Sequence, residues 1–135
     1  MKNHAAKEVI ENWLKFAREN LLFARAGMSE DFSPYHTISF LCQSSAEKYL
    51  KAFLISHGWE LKKIHDLSKL LDECLEFDNS LDSLFPDCEL LNDYITEGRY
   101  PGDLSFENIT QKDAEEAITA AERIEAAILE RIKLI

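Results

Sequence analysis

Apolar residues fall at Ile10, Trp13, Leu14, Ala17, Leu21, Ala24 and Met28, three or four positions apart, the spacing that lines one face of an α-helix. A helix from about Ala5 to Ala26 follows, with Gly27 as its stop. After Ser29-Glu30-Asp31-Phe32, Ser33 is placed to cap a second helix with Pro34 in its first turn, where the amide proton that proline lacks would have had no partner. This helix runs to about His57 and is ended by Gly58. Leu41, Cys42, Ala46, Tyr49, Leu50, Phe53 and Leu54 make it apolar over more of its circumference than the first, which places it centrally. Ser44, Ser45 and Ala46 are small neighbours in its middle and permit close approach of another helix.

A short third helix begins near His65-Asp66, with Asp66 capping its free amides and Leu67, Leu70, Leu71 and Cys74 facing inward. A fourth, capped by Asn79 or Ser80 and distorted at Pro86, carries Leu81, Leu84, Cys88, Leu91 and Ile95 and closes at Gly98. Residues 99–109 hold Pro101 and Gly102 back to back without a sustained period and read as a loop. Thr110 with Asp113 forms a capping box that opens a last helix through Ala114, Ala117, Ile118, Ala121, Ile124, Ile128 and Ile132. No stretch alternates as a strand would, and no segment repeats. The pattern predicts an all-α bundle of about five helices in a single domain spanning residues 1–135.

Length and composition agree with that reading. A chain of 135 residues buries one core, and 46% hydrophobic residues with only 4 Gly and 3 Pro suit helices better than loops or disorder. No apolar run is long enough for a signal segment or a membrane span, so a cytoplasmic protein is expected. Cys42, Cys74 and Cys88 are widely spaced, which suggests reduced core thiols and neither a disulfide framework nor a zinc site.

A net charge of −10 and a pI near 4.8 argue against a protein that coats duplex nucleic acid. The charge is uneven: residues 72–116 carry 14 acidic and 2 basic side chains, residues 1–71 carry 8 and 10. The acidic segment reads as a solvated face.

Candidate chemistry is sparse. There is no phosphate-cradling glycine loop, no His-Glu-x-x-His and no Gly-x-Ser-x-Gly. His4, His36, His57 and His65 make no i, i+4 pairs with one another or with cysteine. Neither catalytic residues, nor a metal, nor a cofactor are expected. Two polar stretches stand out. In the first, Gln43, Glu47 and Lys51 stand one turn apart, either as an exposed Glu47–Lys51 ion pair or as a polar strip beside a groove between helices. In the second, Arg99 lies among Asp93, Tyr94, Glu97 and Tyr100. It either pairs with Asp93, Glu97 or Glu47 and pins the loop, or offers a guanidinium fork to a phosphate beside the Tyr100 ring. Lys62, Lys63 and His65 lie between the two stretches and add positive charge.

Three motifs in this order carry a family resemblance: Ala46-Glu47-Lys48-Tyr49-Leu50-Lys51-Ala52, then Ile64-His65-Asp66-Leu67 with Leu70-Leu71, then Arg99-Tyr100-Pro101. With Trp13, Ala17, Ala24 and an alanine-rich last helix, the chain resembles the HEPN family (higher eukaryotes and prokaryotes nucleotide-binding) over nearly its whole length. The resemblance implies an up-and-down bundle that commonly forms homodimers and often assembles with a small nucleotidyltransferase encoded beside it. It also implies binding of a nucleotide, ATP or similar, and toxin–antitoxin behaviour for many such pairs. On this reading a groove lined by Glu47, Lys48, Lys51, His65, Arg99 and Tyr100 receives the nucleotide. A second branch of the family consists of metal-independent ribonucleases with an Arg-x(4–6)-His motif. None of Arg18, Arg25, Arg99, Arg123 or Arg131 has a histidine at that distance downstream. The competing readings are therefore a divergent ribonuclease using His36 or His65, and an assembly partner in which Glu47, Lys51 and Arg99 form a buried structural network.

Overall fold

The structure, a computed structural model, describes residues 2–32, 34–95 and 108–132, the side chains of 2–5 excepted. Among these residues there are five α-helices: α1 (Lys2–Gly27), α2 (Tyr35–Ser56), α3 (Leu67–Leu75), α4 (Phe85–Asn92) and α5 (Gln111–Arg131), with a 3₁₀ helix at Asn79–Leu84.

The register of side-chain contacts fixes the direction of each helix. Along α2, Ile38 lies against Gly27, Ser44 against Asn20 and Ser45 against Ala17, so α1 and α2 are antiparallel. The Ser45 hydroxyl donates to the Ala17 carbonyl at 2.7 Å, an approach that only the small residues at mid-helix allow. Tyr35 meets Gln111 and Tyr49 meets Glu125, so α5 runs parallel to α2 and antiparallel to α1. The chain leaves α2 at Gly58, whose φ of 86° is the left-handed conformation that ends a helix cheaply. It then runs back along α2 to bring His65 level with Gln43 and Glu47, and α3 starts again from there.

The predicted inward residues form the core. Ala17, Leu21 and Ala24 of α1, Cys42, Ala46, Tyr49, Leu50, Phe53 and Leu54 of α2, and Ala117, Ala121, Ile124 and Ile128 of α5 are buried, while Trp13, Leu14 and Leu41 are only partly so. Leu67, Leu70, Leu71 and Cys74 close it from α3, and Cys88 and Leu91 from α4. Two caps stand as expected. Asp66 accepts from the amides of Ser68 and Lys69, and the Thr110–Asp113 capping box is complete in both directions.

Three boundaries differ. Pro34 is the cap residue of α2 and not part of its first turn: its ψ of 52° is not helical, although its carbonyl accepts from the Ile38 amide at 3.0 Å. Ser33 lies outside the described residues. The fourth segment is capped by Asp78, whose carboxylate accepts from the Ser80 amide, and not by Asn79 or Ser80. It is also two elements, with the change from 3₁₀ to α falling just before Pro86, which sits in the first turn of α4 where its missing donor costs nothing. Finally, α4 ends at Asn92 instead of reaching Gly98. The Asn92 side chain is occupied by α3: it accepts from the Leu67 amide at 2.8 Å and donates to Asp66 at 3.0 Å and Ser68 at 3.1 Å. Gly98 and residues 99–107 of the expected loop lie outside the described residues.

Candidate functional site

Gln43, Glu47 and Lys51 occupy one stripe of α2 because they recur at helical spacing. The returning segment between α2 and α3 lies along that stripe and changes its character. Lys51 is 4% exposed, and the Glu47 side chain 15%. An exposed pair, one of the two readings of the sequence, is thereby corrected: the ammonium sits 2.9 Å from Glu47 Oε2 with little water to compete.

Glu47 is the hub. Besides Lys51 it receives Gln43 Nε2 at 3.2 Å, and both of its oxygens lie 3.1 Å from His65 Nδ1. His65 turns its Nδ1 edge to this carboxylate, and the opposite, Nε2 edge belongs to a ring that is 55% exposed. Gln43 also donates to the His65 backbone carbonyl at 3.2 Å, which fixes the main chain that presents the imidazole. Burial works to raise the Glu47 pKa, but Lys51, His65 and Gln43 together hold it below its ordinary value.

A carboxyl whose pKa is lower in the folded chain contributes stability that is present in full above its unfolded value, and that is lost as pH falls through the folded one. Acid denaturation followed by circular dichroism between about pH 6 and pH 2 should therefore show a stability loss below about pH 4.5, reduced in a Glu47→Gln variant. Superimposable wild-type and variant curves would contradict the role given to Glu47.

Lys48 points elsewhere. Its ammonium donates to Asn20 Oδ1 at 2.9 Å and to the Ser44 hydroxyl, bridging α2 to α1. Burial pulls it below its ordinary pKa, with Glu47 opposing that shift and Lys51 adding to it. The structure thus gathers Glu47, Lys51 and His65 into one cluster and sets Lys48 on the adjoining stripe. Arg99 and Tyr100 lie outside the described residues. Lys62 is drawn off to Glu73 at 3.1 Å and to the Trp59 ring, and His36 sits in the first turn of α2, two turns before Gln43. Asn20 and Asn92, which anchor Lys48 and the start of α3, carried no sequence signal, because each meets its partners across helices and not along one. Among the described residues no three His, Cys, Asp or Glu side chains are placed to hold a metal ion, and no helix is long and apolar enough to cross a membrane.

The arrangement of these motif residues on a helical bundle matches a known domain. The model of the HEPN domain matches residues 10–132. The chain belongs to the HEPN family. A solved structure described as an archaeal HEPN homologue, ST0689, is 31% identical, covers 92% of this chain and 98% of its own, and superposes with a TM-score of 0.75. The protein TT1696 from Thermus thermophilus is 26% identical over 91% of this chain and 98% of its own, with a TM-score of 0.78. No curated protein matches the chain. Within this HEPN bundle the Ala46–Ala52 motif supplies both the hub of the polar cluster, Glu47 with Lys51, and the core residues Ala46, Tyr49, Leu50 and Ala52 that hold it in place.

Proposed function

We propose that this HEPN chain is a non-catalytic nucleotide-binding module that acts as a homodimer and pairs with a small nucleotidyltransferase, as in toxin–antitoxin systems. The observation that carries the reading is the Glu47-centred cluster: a buried ion pair aims a half-exposed histidine outward from a rigid helix. Rigid support of this kind is what a binding side chain requires. Glu47 and Lys51 then act as positioning residues, and the His65 ring meets the ligand. Lys48 adds positive charge on the adjoining stripe, and Arg99 and Tyr100 supply the fork for phosphate and the ring for the base. The clasp between Asn92 and Asp66 holds the end of α4 beside His65. Phe16 and Phe23, 55% and 68% exposed and two turns apart on α1, are apolar surface suited to a second subunit.

A second reading is favoured by the burial of Lys51. An ammonium that is 4% exposed and already paired offers nothing to a ligand unless the cluster opens, so the network serves equally an assembly partner with no nucleotide of its own. Calorimetric titration of ATP, GTP and a short single-stranded RNA at low salt separates the two. Saturable ATP heat in the wild type that is lost in Arg99→Ala and His65→Ala, with melting temperatures unchanged, is the expected result. No heat in any form, together with a markedly lower melting temperature of Arg99→Ala, would transfer the assignment to the structural reading.

A further inference from the structure

A second concave site lies between α1 and α5 and shares no residue with the Glu47 cluster. It is a cleft of about 550 Å³ with Leu14 and Leu22 of α1 and Leu129 of α5 on its walls and Tyr49 of α2 at its base. That volume is in the range of small-molecule sites.

The charges on the cleft do not cancel. Its two carboxylates are already engaged. Glu125 receives the Tyr49 hydroxyl and lies 3.5 Å from Arg25, which also holds Glu122 at 2.9 Å. Glu11 pairs with Lys7 at 3.9 Å. The cleft's other two cations, Lys15 and Arg18, stand one turn apart on α1 and have no ion-pair partner among the described residues. The contrast with the other described arginines decides the point. Arg25, Arg123 and Arg131 each hold a carboxylate within 2.9 Å. In a chain of net charge −10, a guanidinium left open beside a cleft is placed to receive an anion.

We propose that Lys15 and Arg18 bind the phosphoryl group of a phosphomonoester whose apolar or aromatic body lies against Leu14, Leu22 and Leu129. The guanidinium fork matches two phosphate oxygens, and the lysine one turn away contributes a point charge to the third. Tyr49 does not compete for the ligand as an acid. Burial, and then the Glu125 carboxylate, hold its phenol well above the ordinary value, so it stays protonated and its hydroxyl remains donated to Glu125. The leucines make the site selective: free phosphate gains the charge contacts alone, while an aryl phosphate also buries apolar surface.

The test is calorimetric titration of phenyl phosphate and of inorganic phosphate into the full chain, in the wild type, Arg18→Gln, Arg18→Lys and His65→Ala. Arg18 is exposed, so its variants keep the fold, and circular dichroism checks this. The expected result is saturable binding of phenyl phosphate, about tenfold tighter than inorganic phosphate and weakened about tenfold in Arg18→Gln, with Arg18→Lys between and His65→Ala unchanged. The proposal is overturned by an absence of saturable binding to the wild type, by equal affinity for the two phosphates, or by unaltered binding to Arg18→Gln. Loss of binding in His65→Ala would overturn it too, by moving the ligand to the Glu47 cluster. Because the two sites share no residue, failure here leaves the nucleotide reading of that cluster standing, and its failure leaves this one.

Discussion

Replacing Glu47 by alanine is expected to lower the stability of the chain by about 3 kcal/mol, because it strands a buried cation and not because it removes an attraction. Lys51 is 4% exposed and its ammonium has Glu47 as its hydrogen-bond partner. With the carboxylate gone, Lys51 must lose its proton, drag water beneath the returning segment or push that segment off α2. Gln43 and His65 lose the same acceptor, so the start of α3 loosens with it. Thermal melts should show a drop of about 10 °C for a chain of this size. The companion variant Glu47→Leu with Lys51→Met removes both charges at once and should recover most of the loss, since paired removal of a buried ion pair is often nearly neutral. A single variant as stable as wild type would mean that Lys51 reaches solvent, and the cluster would then not be the buried hub described above.

The larger loss, about 4 kcal/mol, is expected for Phe53→Ala. Phe53 is 1% exposed near the C-terminal end of α2, the helix that touches α1, α3, α4 and α5. Truncation removes one of the largest fully buried side chains. A central helix packed on several sides cannot collapse onto the space left behind without moving one of its neighbours. The substitution also removes the ring against which His57 packs, at 4.6 Å between centroids, with Phe77 stacked on the same imidazole. Urea denaturation should show a midpoint shifted sharply downward with an unchanged slope. A changed slope would point to loss of two-state unfolding instead of a cavity.

The two substitutions mark what was and what was not legible in the sequence. Phe53 was assigned to the core by its place in the α2 stripe. The caps Asp66 and Thr110–Asp113 were equally readable, because a side chain that reaches its own backbone two or three residues ahead leaves a local signature. The 3₁₀ helix was not readable. Leu81, Leu84, Cys88 and Leu91 are three or four apart, a spacing that fits a 3₁₀ turn followed by an α-helix as well as one continuous α-helix. Asp78, Asn79 and Ser80 are three consecutive capping residues, and only the backbone decided among them: the extended conformation fell on Asp78. The burial of Lys51 was one of the competing readings, but helical periodicity alone places it on an outward stripe, and the cover arrives from the chain beyond Gly58. For the same reason the Glu47–Lys51–His65 grouping was half legible. The 43, 47, 51 spacing announced two members, and the third, His65, entered the expected groove only through the family resemblance, because its placement depends on where the chain turns back. The open cations of the α1–α5 cleft were hidden altogether, since a lysine and an arginine three apart on a helix are unremarkable until their neighbours are known.

The three cysteines give the molecule a set of internal reporters. Cys42, Cys74 and Cys88 are fully buried, one on each of α2, α3 and α4. Burial pushes Cys42 and Cys88 up to about 12 and raises Cys74 as well. A thiol in that condition is both shielded from an alkylating reagent and almost devoid of the reactive thiolate. Labelling at neutral pH therefore records only excursions in which a helix leaves its neighbours. Mass spectrometry of the three tagged peptides would order those excursions helix by helix, with no residue of the native chain altered.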